Sequence, residues 1–246
     1  MRLFKNSEDY PNIVSYHGVF AALGQHFPCE CEHGNPLFLS WHTAYINKYA
    51  AGLARFLESP ELGLPYFEWS NPEGDWESYL EQDEWTLGRK FRGNQVTTQE
   101  LRSRRDPTYP TSIRNQANDR QQRITNLNCE ENFNLAFSFN LEQIHNSFHR
   151  DIGGEMSSLT GVPFDPIFCL HHNYVEKIFN DWQVCRDQAG QSQWVEELST
   201  AGVDLNAPLR CFDNPNIIGI NDTLFSITYQ ELLQPEAETC YRYYET

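Results

Sequence analysis

Apolar side chains recur three and four positions apart in three stretches of the chain, and each stretch predicts a helix. Over roughly residues 40 to 57, "SWHTAYINKYAAGLARFL", Trp41, Ala44, Tyr45, Tyr49, Leu53, Phe56 and Leu57 fall at helical spacing. A second helix is predicted over about 133 to 150, "FNLAFSFNLEQIHNSFHR", stopped by Gly153-Gly154. A third runs over about 166 to 184, with Asp165 as N-cap and Pro166 in the first turn. Between the first two lies the polar, turn-rich stretch 72 to 123, which reads as a long surface excursion with short helices. The last forty residues carry Pro, Asn and Gly at turn spacing and read as irregular. No repeat, low-complexity tract or linker divides the chain. The expected fold is therefore mainly α, a helix bundle with long irregular loops and little sheet, in a single domain over residues 1–246.

Composition narrows the partners. The 246 residues include 34 acidic against 18 basic side chains, a formal charge of -16, which repels phosphate backbones and anionic membrane surfaces. Nucleic acid and membranes are thus not expected partners. No window approaches eighteen unbroken apolar residues, and the opening "MRLFKNSEDYPNI" has no apolar core, so an exported chain would carry its leader outside this sequence. Seven cysteines favour disulfides, and Asn221-Asp222-Thr223 is an N-glycosylation acceptor pattern; together they point to an extracellular, secreted glycoprotein.

The chemistry lies in the histidines, at 17, 26, 33 and 42 and again at 145, 149, 171 and 172. Two groups of four, about a hundred residues apart, form a pattern that scattered surface histidines would not. His145 and His149 stand at i and i+4, so on a helix both reach one ion. The spacing is that of a zinc-protease helix, but Asn146 occupies the place of the general-base Glu, which disfavours that chemistry. A helical di-iron site needs paired Glu-x-x-His motifs; Glu142-Gln-Ile-His145 supplies one and no second follows, which leaves iron a weak alternative. Six or more imidazoles without an obvious carboxylate or thiolate ligand suit copper, and two groups of three would hold two ions.

The segments "SYHG", "CEHGNPLFLSWH", "EQIHNSFHRDIGG" and "MSSLTGVPFDPIFCLHHNYVEKIFNDW" resemble the two copper-binding regions of the type 3 copper proteins, the superfamily of tyrosinase, catechol oxidase and haemocyanin. The likeness spans nearly the whole chain and is greatest to the functional units of molluscan haemocyanin, through "HNxxH", "GG", "MSSL", "FDPIF", "LHH" and the tail motif "PLRCFDN". It implies a helix bundle enclosing a dinuclear copper site. His17, His33 and His42 would bind one copper ion, with His17 and His33 on less regular backbone, and His145, His149 and His172 would bind the other. His171 becomes a neighbour of the ligands, since adjacent helical side chains diverge by about 100°; His26 has no counterpart. A Cys two positions before the second ligand is joined to it by a thioether in haemocyanins of this type, which gives Cys31 and His33 that role. Six cysteines then remain, enough for three disulfides, with Cys169 as an alternative buried thiol.

The resemblance further implies dioxygen as the ligand, bound as peroxide between two copper ions. Two functions follow: a haemocyanin-like oxygen carrier, within a larger oligomer of such units, or a copper-dependent catechol oxidase turning small o-diphenols into quinones. Tyrosinases that hydroxylate monophenols place a Glu about nine residues before the second region's first ligand, beside an Asn. Here the Asn is Asn146, but Ala136 stands in the upstream place, so little monophenolase activity is expected. The chain ends at "CYRYYET", where the C-terminal β-rich domain of haemocyanin units would begin, and that domain is expected to be absent. "PYFEWS" and "WHTAY" replace the commoner "PYWDWT" and "WHRLY", marking a divergent member. The aromatic residues Phe148, Phe164 and Phe168 are expected to pack beside the histidines and keep them dry, with Phe164 and "MSSLTGVPF" as the candidate gate or shield.

Overall fold

The computed structural model describes residues 13–14, 17, 32–59, 63–74, 90–91, 94–95, 105–128, 137–190, 194–200, 202–206 and 228–232. His26, Cys31, Ala136, Asn221 and the "PLRCFDN" tail motif lie outside these residues. In chain order come α1 (Phe38–Phe56), a two-residue pair of strands β1 (Lys90–Phe91) and β2 (Asn94–Gln95), α2 (Tyr109–Leu127), α3 (Phe139–Ile152), α4 (Ile167–Gln188), and the short α5 (Trp194–Thr200) and α6 (Tyr229–Leu232). The strands pair antiparallel, Lys90 opposite Gln95, and make the only sheet among the described residues. Two 3₁₀ turns, Gly154–Ser157 and Val162–Phe164, link α3 to α4. The mainly α expectation holds. No described helix is long and apolar enough to cross a membrane.

Helix α1 is buried around most of its circumference, from Phe38 and Trp41 through Tyr45, Ile46, Tyr49 and Leu53, and packs against α4, whose Phe168, Val175, Phe179 and Trp182 are also buried. Each large side chain removed from water contributes about 1.5–3 kcal/mol, so this pair forms the centre of the bundle. Helix α1 starts two residues before the expected Ser40, because the Asn35 carbonyl accepts from Phe38 N at 3.2 Å and the Asn35 side chain accepts from Leu37 N at 2.7 Å. Helix α3 ends at Gly153 as expected, at φ +68°. The start of α4 is shifted by one residue: Pro166 takes the cap position, and the Asp165 carboxylate accepts from Ile167 N at 3.1 Å.

The polar excursion needs correction. It contains the 19-residue α2, which buries only Ile113, Ala117, Arg120 and Leu127 and packs on α3. A stripe this narrow gives little periodic signal, yet it suffices for a helix covered on one side. Two cations in the same stretch are buried. Arg105 donates to both oxygens of Asp165, at 2.8 and 2.7 Å, and so fastens the approach to α2 onto the turn before α4. Arg120 donates to Ser147 Oγ at 2.9 Å and pairs with Asp151, its guanidinium 5.6 Å from the Trp69 ring and 5.9 Å from that of Phe148. Segment 63–74 is tied to α4 by Asn173 Nδ2, which donates to the Leu64 carbonyl at 2.6 Å. Among the described cysteines, Cys169 is buried in the core and Cys185 is disulfide-bonded.

Candidate metal centre

All seven described histidines converge where α1, α3 and α4 meet. His33 and His42 each place Nε2 close to His17 Nε2, at 3.5 and 3.4 Å. His145 Nε2 lies 3.0 Å from His172 Nε2 and 2.9 Å from His149 Nε2. In each cluster the potential ligand atoms lie within 4.8 Å of one another. An ion with metal–nitrogen bonds of about 2.0–2.1 Å separates its nitrogens by roughly 3.3–3.6 Å. The first triad already has that spacing, and the second would open by about half an ångström to reach it. His17 stands in helical backbone, contrary to the irregular setting expected for it, while His33 sits in the turn before α1.

Ring orientation shows which imidazoles can turn toward a common point. A coordinating lone pair lies in the plane of its imidazole, so rings that share an ion need planes that cross. They cross within the first triad, His17 with His33 at 69°, His17 with His42 at 57°, and His33 with His42 at 55°. In the second, His145 crosses His149 at 75° and His172 at 65°. His171 belongs to the same cluster; it is stacked on His145, 17° from parallel at 4.7 Å, and on Phe148, 23° at 4.4 Å, while it crosses His149 at 90° and His172 at 68°. His42 and His172 also lie parallel, 9° apart at 4.5 Å, so this contact joins the two triads rather than filling one ion's shell.

The other ring nitrogen fixes which atom is free to coordinate. His17 Nδ1 donates to the Leu159 carbonyl at 2.9 Å, and His42 Nδ1 to the Phe38 carbonyl at 2.8 Å. His145 Nδ1 faces Asn146 Oδ1 at 3.2 Å, and His33 Nδ1 faces Glu142 Oε1 at 3.5 Å. With the proton on Nδ1, four Nε2 atoms present lone pairs to the common centre, the arrangement a cation requires. Electrostatics agree. Burial, then the charges of neighbouring imidazoles, holds His42, His145, His171 and His172 well below the ordinary histidine range, and does the same for His17. His149 is pushed down to about 3 by burial and by His33. Burial thus favours the neutral form of these six rings.

Aromatic side chains wall the site. Phe38 lies 4.5 Å from His42 and 4.8 Å from His145, and Phe168 lies 4.2 Å from His172. Each of these two phenylalanines stands four residues before the histidine it covers, the spacing that puts helical side chains on one face. Phe148 backs His171, whereas Phe164 packs against the core. A cleft of ≈ 160 Å³ reaches the two triads, walled by His33, His149, Asn146, Met156, Leu159 and Val162 among others, with Phe164 absent from its lining. From the stretch "MSSLTGVPF", Met156, Ser157, Ser158, Leu159 and Val162 line this cleft. Leu159 is 55% exposed at this opening.

Three contributors were hidden from sequence reasoning. Glu142 was legible only as half of an iron motif, yet it lies on the far side of the His33 ring from Nε2, where it cannot be a ligand. The Leu159 and Phe38 carbonyls carry no sequence signal at all. Cys31, expected to be joined to His33, lies outside the described residues, as does Asn221.

The pattern of the common central domain of tyrosinase matches the chain over residues 7–141 and 78–184. Hemocyanin 2 of Megathura crenulata is 28% identical over 230 residues, covering 87% of this chain and 6% of that protein. A functional unit of octopus haemocyanin superposes with a TM-score of 0.63 at 22% identity, over 87% of this chain and 56% of that one. The tyrosinase of Burkholderia thailandensis superposes with a TM-score of 0.65 at 16% identity, over 96% of this chain and 65% of the other. These two likenesses are of fold, and the chain spans less than two thirds of each of the three relatives.

Proposed function

Because the chain belongs to the family of the common central domain of tyrosinase, we propose that it is a type 3 copper protein, a single core domain in which His17, His33 and His42 hold one copper ion and His145, His149 and His172 the other, and that it binds dioxygen reversibly as a haemocyanin-like carrier. The observation that supports this most is the pair of triads with crossing ring planes and Nε2 lone pairs turned inward. Copper supplies the one-electron chemistry that dioxygen binding needs, since it cycles between Cu(I) and Cu(II) on nitrogen ligands. The protein supplies neutral imidazoles, their orientation and a dry wall of Phe38 and Phe168.

A second reading, oxidation of o-diphenols, is favoured by the cleft. Its ≈ 160 Å³ is close to the roughly 150 Å³ of an engineered cavity that admits benzene, so a single phenolic ring fits. No carboxylate lines the cleft among the described residues, which leaves no acidic side chain there to take a monophenol's proton. Secretion, glycosylation at Asn221, the Cys31–His33 thioether and membership of a larger oligomer of such units belong to the same proposal.

The test is the absorption spectrum of the copper-loaded chain, cycled between air and argon, followed by catechol and tyrosine turnover. A carrier gives a reversible oxygen-dependent band with slow catechol oxidation and no tyrosine hydroxylation. Fast catechol turnover selects the oxidase, and rapid tyrosine hydroxylation overturns the carrier. A chain that retains no copper overturns both.

A further inference from the structure

We infer that Glu142 is a positioning residue that builds the first copper site from the helix carrying the second, acting through His33; the inference rests on the copper reading above. Of the first triad's ligands, His33 has the least regular support. It sits in the turn before α1 between two residues in left-handed backbone, Glu32 at φ 50° and Gly34 at φ 74°, with its side chain 20% exposed. Left-handed backbone at a non-glycine residue costs about 1–2 kcal/mol, so the turn persists only where the surroundings impose it. No heavy atom lies within 4 Å of where a Gly34 Cβ would stand, so the positive φ alone asks for glycine there.

The turn is imposed by a buried carboxylate. Glu142 is 3% exposed, and both its oxygens accept from Gly34 N, at 2.9 and 3.0 Å, while Oε1 lies 3.5 Å from His33 Nδ1. Beside the Gly34 amide, the other donor placed against this buried carboxylate is His33 Nδ1–H. An ion on His33 Nε2 draws electron density from the ring and makes Nδ1–H a stronger donor to Glu142. The carboxylate stands at i relative to His145 at i+3 and His149 at i+7, so one face of α3 carries it together with two ligands of the second triad. A similar dependence recurs at His17, whose Nδ1 is held by Leu159 on the link between α3 and α4. The second triad shows no converse hydrogen bond: the Nδ1 partner of His145 is the adjacent Asn146, His149 is held by the Met156 backbone in its own half of the chain, and His172 Nδ1 has no hydrogen-bond partner. The first triad therefore draws two of its Nδ1 partners from the second half of the chain, whereas no described Nδ1 partner of the second triad comes from the first half.

Removing Glu142 should weaken one ion selectively. The probe is copper itself, removed from the fully loaded chain by a chromogenic copper chelator and counted per chain. Wild type should hold two ions; Glu142→Ala should release one of them tenfold to hundredfold more readily, the usual loss when an orienting contact is removed. Glu142→Gln, which keeps an oxygen for Gly34 N, should fall between them. When Glu142→Ala is added to His42→Gln, which disables the first triad, the remaining ion should be held within about twofold of its affinity in His42→Gln alone. Loosening of both ions alike, or of neither, overturns the proposal. A wild-type chain that holds no copper overturns the metal reading itself and is told apart by that result.

Discussion

Acid should dismantle the metal-free protein in a pH range where few other side chains titrate. Six imidazoles, His17, His42, His145, His149, His171 and His172, are held below their ordinary range in the folded chain. Unfolding returns them to about 6.5, so the unfolded chain binds protons more tightly and stability falls as pH falls. Above about pH 6.5 both states are neutral and nothing is lost. For His149, at about 3 in the folded chain, the loss reaches about 2 kcal/mol at pH 5, a ceiling because this ring faces the cleft and water screens it. The other five are displaced in the same direction, and an ordinary domain has only about 5–15 kcal/mol to lose, so the apo fold should weaken steeply below about pH 6.5. Net charge works the other way: the chain carries -16 at pH 7, and acid reduces that self-repulsion. The assay is urea unfolding of the metal-free chain by far-UV circular dichroism at pH 7.5, 6.5, 5.5 and 5.0 and fixed ionic strength. A midpoint that is level down to about 6.5 and then drops steeply supports the reasoning. An unchanged midpoint down to pH 5.0 would refute it, showing that the imidazoles are solvated or paired.

Arg105→Ala leaves Asp165 buried and unpaired and should cost about 3–5 kcal/mol by urea unfolding, whereas replacing both residues by apolar ones of similar volume should cost much less. Gly153→Ala puts a side chain at φ +68° with its Cβ 2.9 Å from that of Asp106; it should destabilise by about 2 kcal/mol or more, seen in the same melts. Gly161→Ala should be milder, because the atom it meets is the swinging carboxylate of Glu155. Leu159→Ala widens the cleft while keeping the carbonyl that holds His17, so catechol oxidation by the loaded chain should rise with copper content unchanged.

The legible parts of the fold were those with wide apolar faces. Helices α1, α3 and α4 announce themselves because Trp41, Tyr45, Leu141, Phe148, Phe168 and Phe179 recur at helical spacing. Helix α2 does not, since Ile113, Ala117, Arg120 and Leu127 are its whole buried stripe and one of them is a cation. The histidines could be found because a ligand must be a particular residue type. What orients them was largely illegible, because the Leu159 and Phe38 carbonyls belong to any residue. Glu142 was visible, but its partner lies 108 positions away at Gly34, a separation that no local pattern spans.

The contact between His42 and His172 sets a length as well as an orientation. Their rings are stacked with centroids 4.5 Å apart, at the short end of the usual range of about 4.5–7 Å for aromatic pairs, and each is rooted in one of the two central helices. If copper fills both triads as proposed, the gap between the ions would be gauged by the thickness of stacked rings, as by a caliper whose jaws are α1 and α4. Whatever slides or spreads those jaws, a cavity opened between Tyr45 and Phe168 or a volatile guest lodged there, would retune the electronic coupling of the metal pair without touching a ligand. Spectra, more than binding constants, would register such distant repacking.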